Sequence, residues 1–155
     1  MPVVTNAILL TRRITELQRR RQALLEKQTR LRRNLPEWTF APLQLVGMST
    51  DEIKGMIGDL NNAERDVGID EVERDLESVD GQIEELEGML LTTPSTSIEA
   101  IEAVLKLAIS RFRNQTVSDP EDIFYDYGDA RVLFLLERAA DDLHGLLNAD
   151  QRIAG

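Results

Sequence analysis

Apolar residues recur along the first part of the chain at alternating spacings of four and three. Leu10, Leu17, Leu24 and Leu31 form one row, and Ile14, Arg21, Gln28 and Leu35 occupy the alternate seam positions. Held for about four heptads, this spacing predicts one helix from about Thr5 to Asn34 with a coiled-coil-like seam. Leu35-Pro36 should end it, because the residue before a proline is pushed out of the α region. Pro36 to Gly47 then reads as a connection whose aromatics, Trp38 and Phe40 beside Pro42, cap the end of a helical bundle.

Ser49-Thr50-Asp51-Glu52 reads as a capping box that opens a second helix, with Ile53, Ile57, Leu60 and Val67 on its apolar side. Gly55, Gly58, Asn61 and Asn62 make that helix intrinsically weak, each glycine costing roughly 1 kcal/mol against alanine. At Val67-Gly68-Ile69-Asp70 the pattern changes phase. The next seam is Val72, Leu76, Val79, Ile83, Leu86 and Leu90, and at 100° per residue Val67 and Leu76 fall on opposite sides of a straight helix. A break or bend near Gly68 resolves the conflict, with Asp70 and Glu73 as a further capping pair.

Thr92-Thr93-Pro94-Ser95-Thr96-Ser97 is a stop and restart. Thr96 with Glu99 predicts a capped fourth helix to about Phe112, its apolar face formed by Ile98, Ile101, Val104, Leu105, Ala108, Ile109 and Phe112. Asn114 to Gly128 is an acidic, aromatic connection. The last helix, from about Asp129 to Asn148, is apolar on more than half its circumference and should sit centrally or at an oligomer interface. The expected fold is therefore all-α: a helical bundle with a long coiled-coil-like hairpin and about five helices. It forms one domain, with a coiled-coil-like part over 5–92 and a C-terminal helical part over 96–149.

Charge sharpens this picture. The chain of 155 residues has a net charge of −10, but residues 1–35 hold nine basic residues against Glu16 and Glu26, which is +7. The remaining 120 hold nine basic and 26 acidic residues, which is −17. In heptad terms the g row of the first helix (Arg13, Arg20, Lys27) is basic, and the e row of the third (Glu73, Asp80, Glu87) is acidic. Such rows face each other between parallel helices. They do so within one chain if Gly68 makes a true turn. If the second and third helices are continuous, the first instead makes an antiparallel hairpin with them, and the charge match belongs to a partner subunit. Each exposed pair stabilises by only about 0.3–0.5 kcal/mol, so the match informs register more than stability.

Chemistry is sparse. No cysteine is present, which excludes disulfides, thiolate metal sites and cysteine nucleophiles. His144 is the one histidine, and although Asp141 shares its helical face, a di-metal bundle needs a second histidine. The acidic residues between Asp119 and Asp129 do not have the spacing of a calcium loop. There is no Walker loop, dinucleotide fingerprint or nucleophile elbow. No catalytic residue, cofactor or metal is expected. No apolar stretch approaches a membrane span or a signal-peptide core, so a cytoplasmic protein is the default expectation.

Val67-Gly68-Ile69-Asp70-Glu71-Val72-Glu73, the junction Leu90-Leu91-Thr92-Thr93-Pro94-Ser95-Thr96-Ser97, and the helix containing Lys106-Leu107-Ala108 resemble a segment of a family of uncharacterised small helical proteins, chiefly of alphaproteobacteria. In that family the junction usually reads leucine, two small residues, Pro, Ala, Thr, Thr. This chain has Ser95 and Ser97 where alanine and threonine are usual. The resemblance covers about a quarter of the chain, and it implies an all-helical bacterial protein without implying any activity or ligand.

The leading expectation is a non-enzymatic interaction or scaffold protein, binding a protein partner or a second copy of itself as a homodimer. Contacts are expected from Arg13, Arg20, Lys27, Glu73, Asp80 and Glu87, with Trp38 and Phe40. A nucleic-acid-associated regulator using Arg12, Arg19, Arg30 and Arg33 is the alternative, disfavoured by the acidic bulk, which repels phosphate. A small-molecule or metal-binding bundle is the third reading, resting on the acidic-aromatic connection alone.

Overall fold

The structure, a computed structural model, describes residues 6–40 and 46–154. Pro42 lies outside them. Asn6 opens the first helix, its side-chain oxygen accepting from the Leu9 backbone N–H at 2.9 Å. This is the use to which an N-terminal asparagine is suited, since it satisfies one of the donors the first turn leaves orphaned. The helix, α1, runs Ala7–Arg32. Its predicted seam is its least exposed face: Leu10, Ile14 and Leu17 are buried, Arg21, Leu24, Gln28 and Leu31 are half-buried, and Arg13, Arg20 and Lys27 are exposed. Thr11 is buried too, its hydroxyl donating to the Ile8 carbonyl at 2.9 Å. After Pro36 the chain makes a single 3₁₀ turn, Glu37–Phe40. Trp38 is 49% and Phe40 62% exposed. The aromatic cap expected there is therefore not formed by these two residues.

Ser49 caps α2 (Thr50–Asp66) by accepting from the Glu52 N–H at 3.2 Å, as its capping box predicts. None of this helix's residues is fully buried. Its glycines and asparagines leave few side chains large enough to pack. Gly68, at φ +89°, then breaks the chain before α3 (Ile69–Leu91). Only glycine adopts this left-handed conformation at little cost. Only Val67 and Gly68 separate the two helices, so Asp70 lies inside the first turn of α3 and is not its cap. It forms an ion pair with Arg65 at 3.6 Å instead.

α4 (Ile98–Gln115) is capped by Ser97, which accepts from the Ala100 N–H at 3.1 Å. The cap is thus one residue later than the Thr96–Glu99 pair predicts. α5 runs Tyr127–Ala154, starting two residues earlier than expected. Asp126 takes the capping position, accepting from the Asp129 N–H at 3.0 Å. Two more residues of the acidic connection do similar local work: Asp119 accepts from the Glu121 N–H and Asp122 from the Phe124 N–H. Side-chain carboxylates that close such turns stand in for backbone acceptors.

Five α-helices and no strand occur among the described residues, so the fold is an all-α helical bundle. The chain divides into two compact units, residues 16–85 and residues 1–15 with 86–155. The first has a core of Leu17, Ile69, Val72, Val79 and Ile83. In the second, Ala7, Leu10, Ile14, Ala100, Leu107, Ile109, Ala140 and Leu147 are buried. Complete burial of each large aliphatic residue stabilises by about 1.5–3 kcal/mol, so these few positions dominate.

Two glycine substitutions separate backbone conformation from packing. A methyl group at Gly68 would meet only Leu31 Cδ1 at 3.9 Å, an ordinary contact. Gly68→Ala should nevertheless lower stability by about 1–2 kcal/mol, through the left-handed backbone alone. Gly55 is helical with open space around it, so Gly55→Ala should raise stability by about 0.5–1 kcal/mol. Urea unfolding followed by circular dichroism measures both, and the opposite sign at either position contradicts the account.

Candidate interaction surface

In the unit formed by residues 16–85, polar seam residues of α1 reach α3. Arg21 Nε lies 2.6 Å from Asp80 Oδ1, and Gln28 Nε2 donates to Glu73 Oε1 at 3.4 Å. As the α1 number rises by seven, the α3 number falls by seven. The two segments are antiparallel. This corrects the parallel pairing of basic and acidic rows: Asp80 and Glu73 engage the seam residues Arg21 and Gln28, while Arg13, Arg20 and Lys27 take exposed positions. Glu87, the third acidic position, pairs with Arg111 of α4 at 2.9 Å. The Arg21 and Asp80 side chains are 43% and 50% exposed, so the pair belongs to the surface class and contributes about 0–1 kcal/mol. It marks register.

Trp38 and Phe40 have a different setting. Trp38 lines an open cleft of about 490 Å³ with Asn34, Pro36, Asp59, Asn62 and Asp66. No buried side-chain polar atom lacks a hydrogen-bond partner among the described residues. Nor do three histidine, aspartate or glutamate residues among them converge on a position that could hold a metal ion. The cleft therefore offers an aromatic face and carboxylates, but no aimed, unsatisfied group.

The second unit contains the most specific polar arrangement. Glu102 of α4 has a side chain only 13% exposed, and one of its oxygens takes Lys106 Nζ at 2.6 Å and His144 Nδ1 of α5 at 2.7 Å. The hydrogen bond from Lys106 is the main reason that Glu102 is held below the ordinary carboxylate value of 4.5, with His144 adding to it against the opposing effect of partial burial. His144 is thus tied to a carboxylate of the neighbouring helix, whereas the sequence places Asp141 on its own helical face. Arg113 and Glu137 form a second α4–α5 ion pair. The pairs 102–144 and 113–137 run in opposite directions, so α4 and α5 are antiparallel.

The rest of this hairpin is unexpectedly apolar outside. Ile98 and Ile101 of α4 are each 50% exposed, and on α5 Val132, Leu135 and Leu146 are 47%, 70% and 67% exposed. For α5 the sequence expects a central position or an oligomer interface, and within the chain these α5 residues are uncovered. Ile98 and Ile101 belong to the face expected to be buried; of that face Ile109 is buried, together with Ala100 and Leu107 from outside it.

At 100° per residue, the exposed stripe of α4 lies about 90° around from the side that meets α5. The α5 stripe lies about 140° around from the side that meets α4. Because the two helices run in opposite directions, both rotations turn to the same side of the hairpin, the α4 stripe onto its flank and the α5 stripe toward the outer edge of that flank. Half-buried Leu136 and Leu143 fill the strip between the two stripes. Apart from Asp142, which pairs with Arg138 of its own helix, this flank is apolar, and the ion pairs that join α4 to α5 lie away from it.

No protein-family model matches the chain, and no curated protein or solved structure matches it either. No helix among the described residues is long and apolar enough to cross a membrane.

Two measurements follow from this geometry. The chain has no cysteine of its own, so the pairs Arg21→Cys with Asp80→Cys and Gln28→Cys with Glu73→Cys should each be bridged by a short bifunctional thiol reagent that spans the gap left by the shortened side chains. Arg21→Cys with Glu73→Cys is displaced by seven residues, roughly 10 Å along the helix, and should be bridged far less. Mass spectrometry reads the result, and equal bridging of the displaced pair would contradict the antiparallel register. For Glu102, a lowered folded pKa means stability that is present above 4.5 and lost as pH falls through the folded value. Glu102→Gln should be less stable than the parent at pH 7. The gap should close in acid, below pH 4.5, as followed by thermal unfolding across pH.

Proposed function

We propose that this chain is a non-enzymatic helical interaction protein, acting through protein–protein contacts with a protein partner or with itself. One observation carries the reading: the apolar flank that α4 and α5 leave open. Soluble monomers rarely expose a contiguous apolar patch above a few hundred Å², and larger ones mark surfaces that bind another macromolecule. The residues concerned are large aliphatics on regular helices, the side chains a helix–helix interface uses. The absence of any catalytic constellation in the sequence agrees with this, as does the resemblance of residues 67–109 to a bacterial helical family that implies no activity.

The nucleic-acid alternative has less support. Arg12, Arg19, Arg30 and Arg33 are exposed, but Glu16 and Glu26 interrupt their face of α1. Interleaved carboxylates weaken the positive potential that a phosphate backbone requires.

A photo-crosslinking amino acid placed at Leu135 or Leu146, in the full chain expressed in its native cells, tests the proposal. Defined protein adducts are expected from these positions, and far fewer from Asp141 on the other side of α5. Equal labelling from all three, or no protein adduct from any, would count against protein contact through this surface.

A further inference from the structure

Both exposed stripes repeat with coiled-coil spacing. On α4, exposed Ile98, Ile101 and Ala108 alternate with half-buried Leu105 and Phe112 in steps of three and four. On α5, Val132, Leu135, Ala139, Leu146 and Ile153 follow the same alternation, with Asp142 and Ala149 at the two remaining seam positions. These seams are additional to the buried faces of the same two helices. Ala140 and Leu147 are on the buried side of α5, and Ala100 and Leu107 on the buried side of α4. Seams of this kind stabilise only when another helix supplies the holes for their knobs.

We infer that the partner on this flank is a second copy of the same chain, the two α4–α5 hairpins packing face to face as a four-helix interface. The inference rests on the protein-contact reading above and deepens it. Area is the first argument. From their fractional exposures, Ile98, Ile101, Val132, Leu135, Leu146 and Ile153 leave on the order of 700 Å² uncovered. A standard stable interface takes about 800 Å² from each partner. The patch therefore has the size that one face of a dimer needs, and self-pairing covers it on both copies at once.

Charge is the second argument. The whole chain has a net charge of −10. The two helices α4 and α5 together hold six basic residues (Lys106, Arg111, Arg113, Arg131, Arg138, Arg152) and seven acidic ones (Glu99, Glu102, Asp129, Glu137, Asp141, Asp142, Asp150), a net of −1. The strong like-charge repulsion that opposes dimerisation elsewhere on the chain is nearly absent from this hairpin. A near-neutral surface also lacks the one-signed field that would select an oppositely charged partner. Asp142, the one acidic residue in the α5 stripe, already faces Arg138 of its own helix at 3.5 Å. Small residues at Ala108 and Ala139 leave room for the leucines and isoleucines of the other copy.

Multi-angle light scattering and sedimentation equilibrium on the full chain test this. The wild type should approach twice its 17.5 kDa chain mass, in a concentration-dependent way. Leu135→Glu with Leu146→Glu should weaken dimerisation by at least about a hundredfold, because an interface that closes over these positions must desolvate four carboxylates. Both positions are exposed in the single chain, so its helicity by circular dichroism should be unchanged. Phe134→Glu is 65% exposed but turned away from the stripe, and it should leave the dimer intact. A wild type monomeric up to about 1 mM, or a dimer indifferent to the double substitution, overturns the second-copy inference. If such a monomer still gives crosslinks to other proteins from Leu135, the protein-contact reading stands without it. If it gives none, both fail.

Discussion

The structure depends on a single left-handed residue. Gly68, at φ +89°, lies between two helices whose apolar positions are out of phase, and it lets each present its own apolar side. Without the break, Val67 and Leu76 would face opposite sides of one rod. With it, Ile69, Val72 and Val79 are all buried. The glycine lies against α1, its Cβ direction pointing at Leu31. Further along, the cleft beside Trp38 pairs residues that follow α1 with residues of α2. A chain with no permitted left-handed residue here would have to expose one seam or strain the other.

The same residue explains how an attractive electrostatic reading of the sequence misleads. The basic g row and acidic e row match in sign and spacing, which favours parallel helices. Exposed ion pairs stabilise too weakly to choose a helix direction, whereas a handful of buried aliphatics stabilise by several kcal/mol in total. Connectivity and burial choose, and the charged groups adapt. Arg21 and Gln28 look like defects in the leucine seam, yet in the antiparallel register they are the residues that reach Asp80 and Glu73.

Much of the fold is legible because its signals are local. The α1 seam, the Ser49 cap, the stop before Pro94 and the number of helices all rest on patterns within a few residues. The misses are also local in cause. Thr96 and Ser97 are both competent caps, and only the path of the chain selects Ser97. Asp126 precedes Asp129 by one turn and outcompetes it for the start of α5. The surface is less legible. An over-apolar α5 can be read from composition, but which of its sides is covered depends on where α4 lies. That position is marked by the pairs Glu102–His144 and Arg113–Glu137, whose members lie 42 and 24 positions apart. No periodicity contains such long-range partners.

The division of the α4–α5 hairpin into two flanks gives those polar contacts a role beyond stability. Glu102 gathers Lys106 and His144 on one oxygen, and Arg113 holds Glu137 farther along the same pair of helices. Charge-assisted bonds are directional, whereas apolar packing alone tolerates sliding. Added to the buried contacts, two such ties favour one axial register and rotation of α5 on α4, and with them one relative placement of Ile98 and Ile101 against Leu146. A surface whose side chains are already held in place loses less conformational freedom when it binds, which raises affinity without any added contact. The apolar flank is therefore prepared for association by the polar groups that do not take part in it. Loosening the Glu102 cluster should weaken association even though no atom of it lies on the stripe.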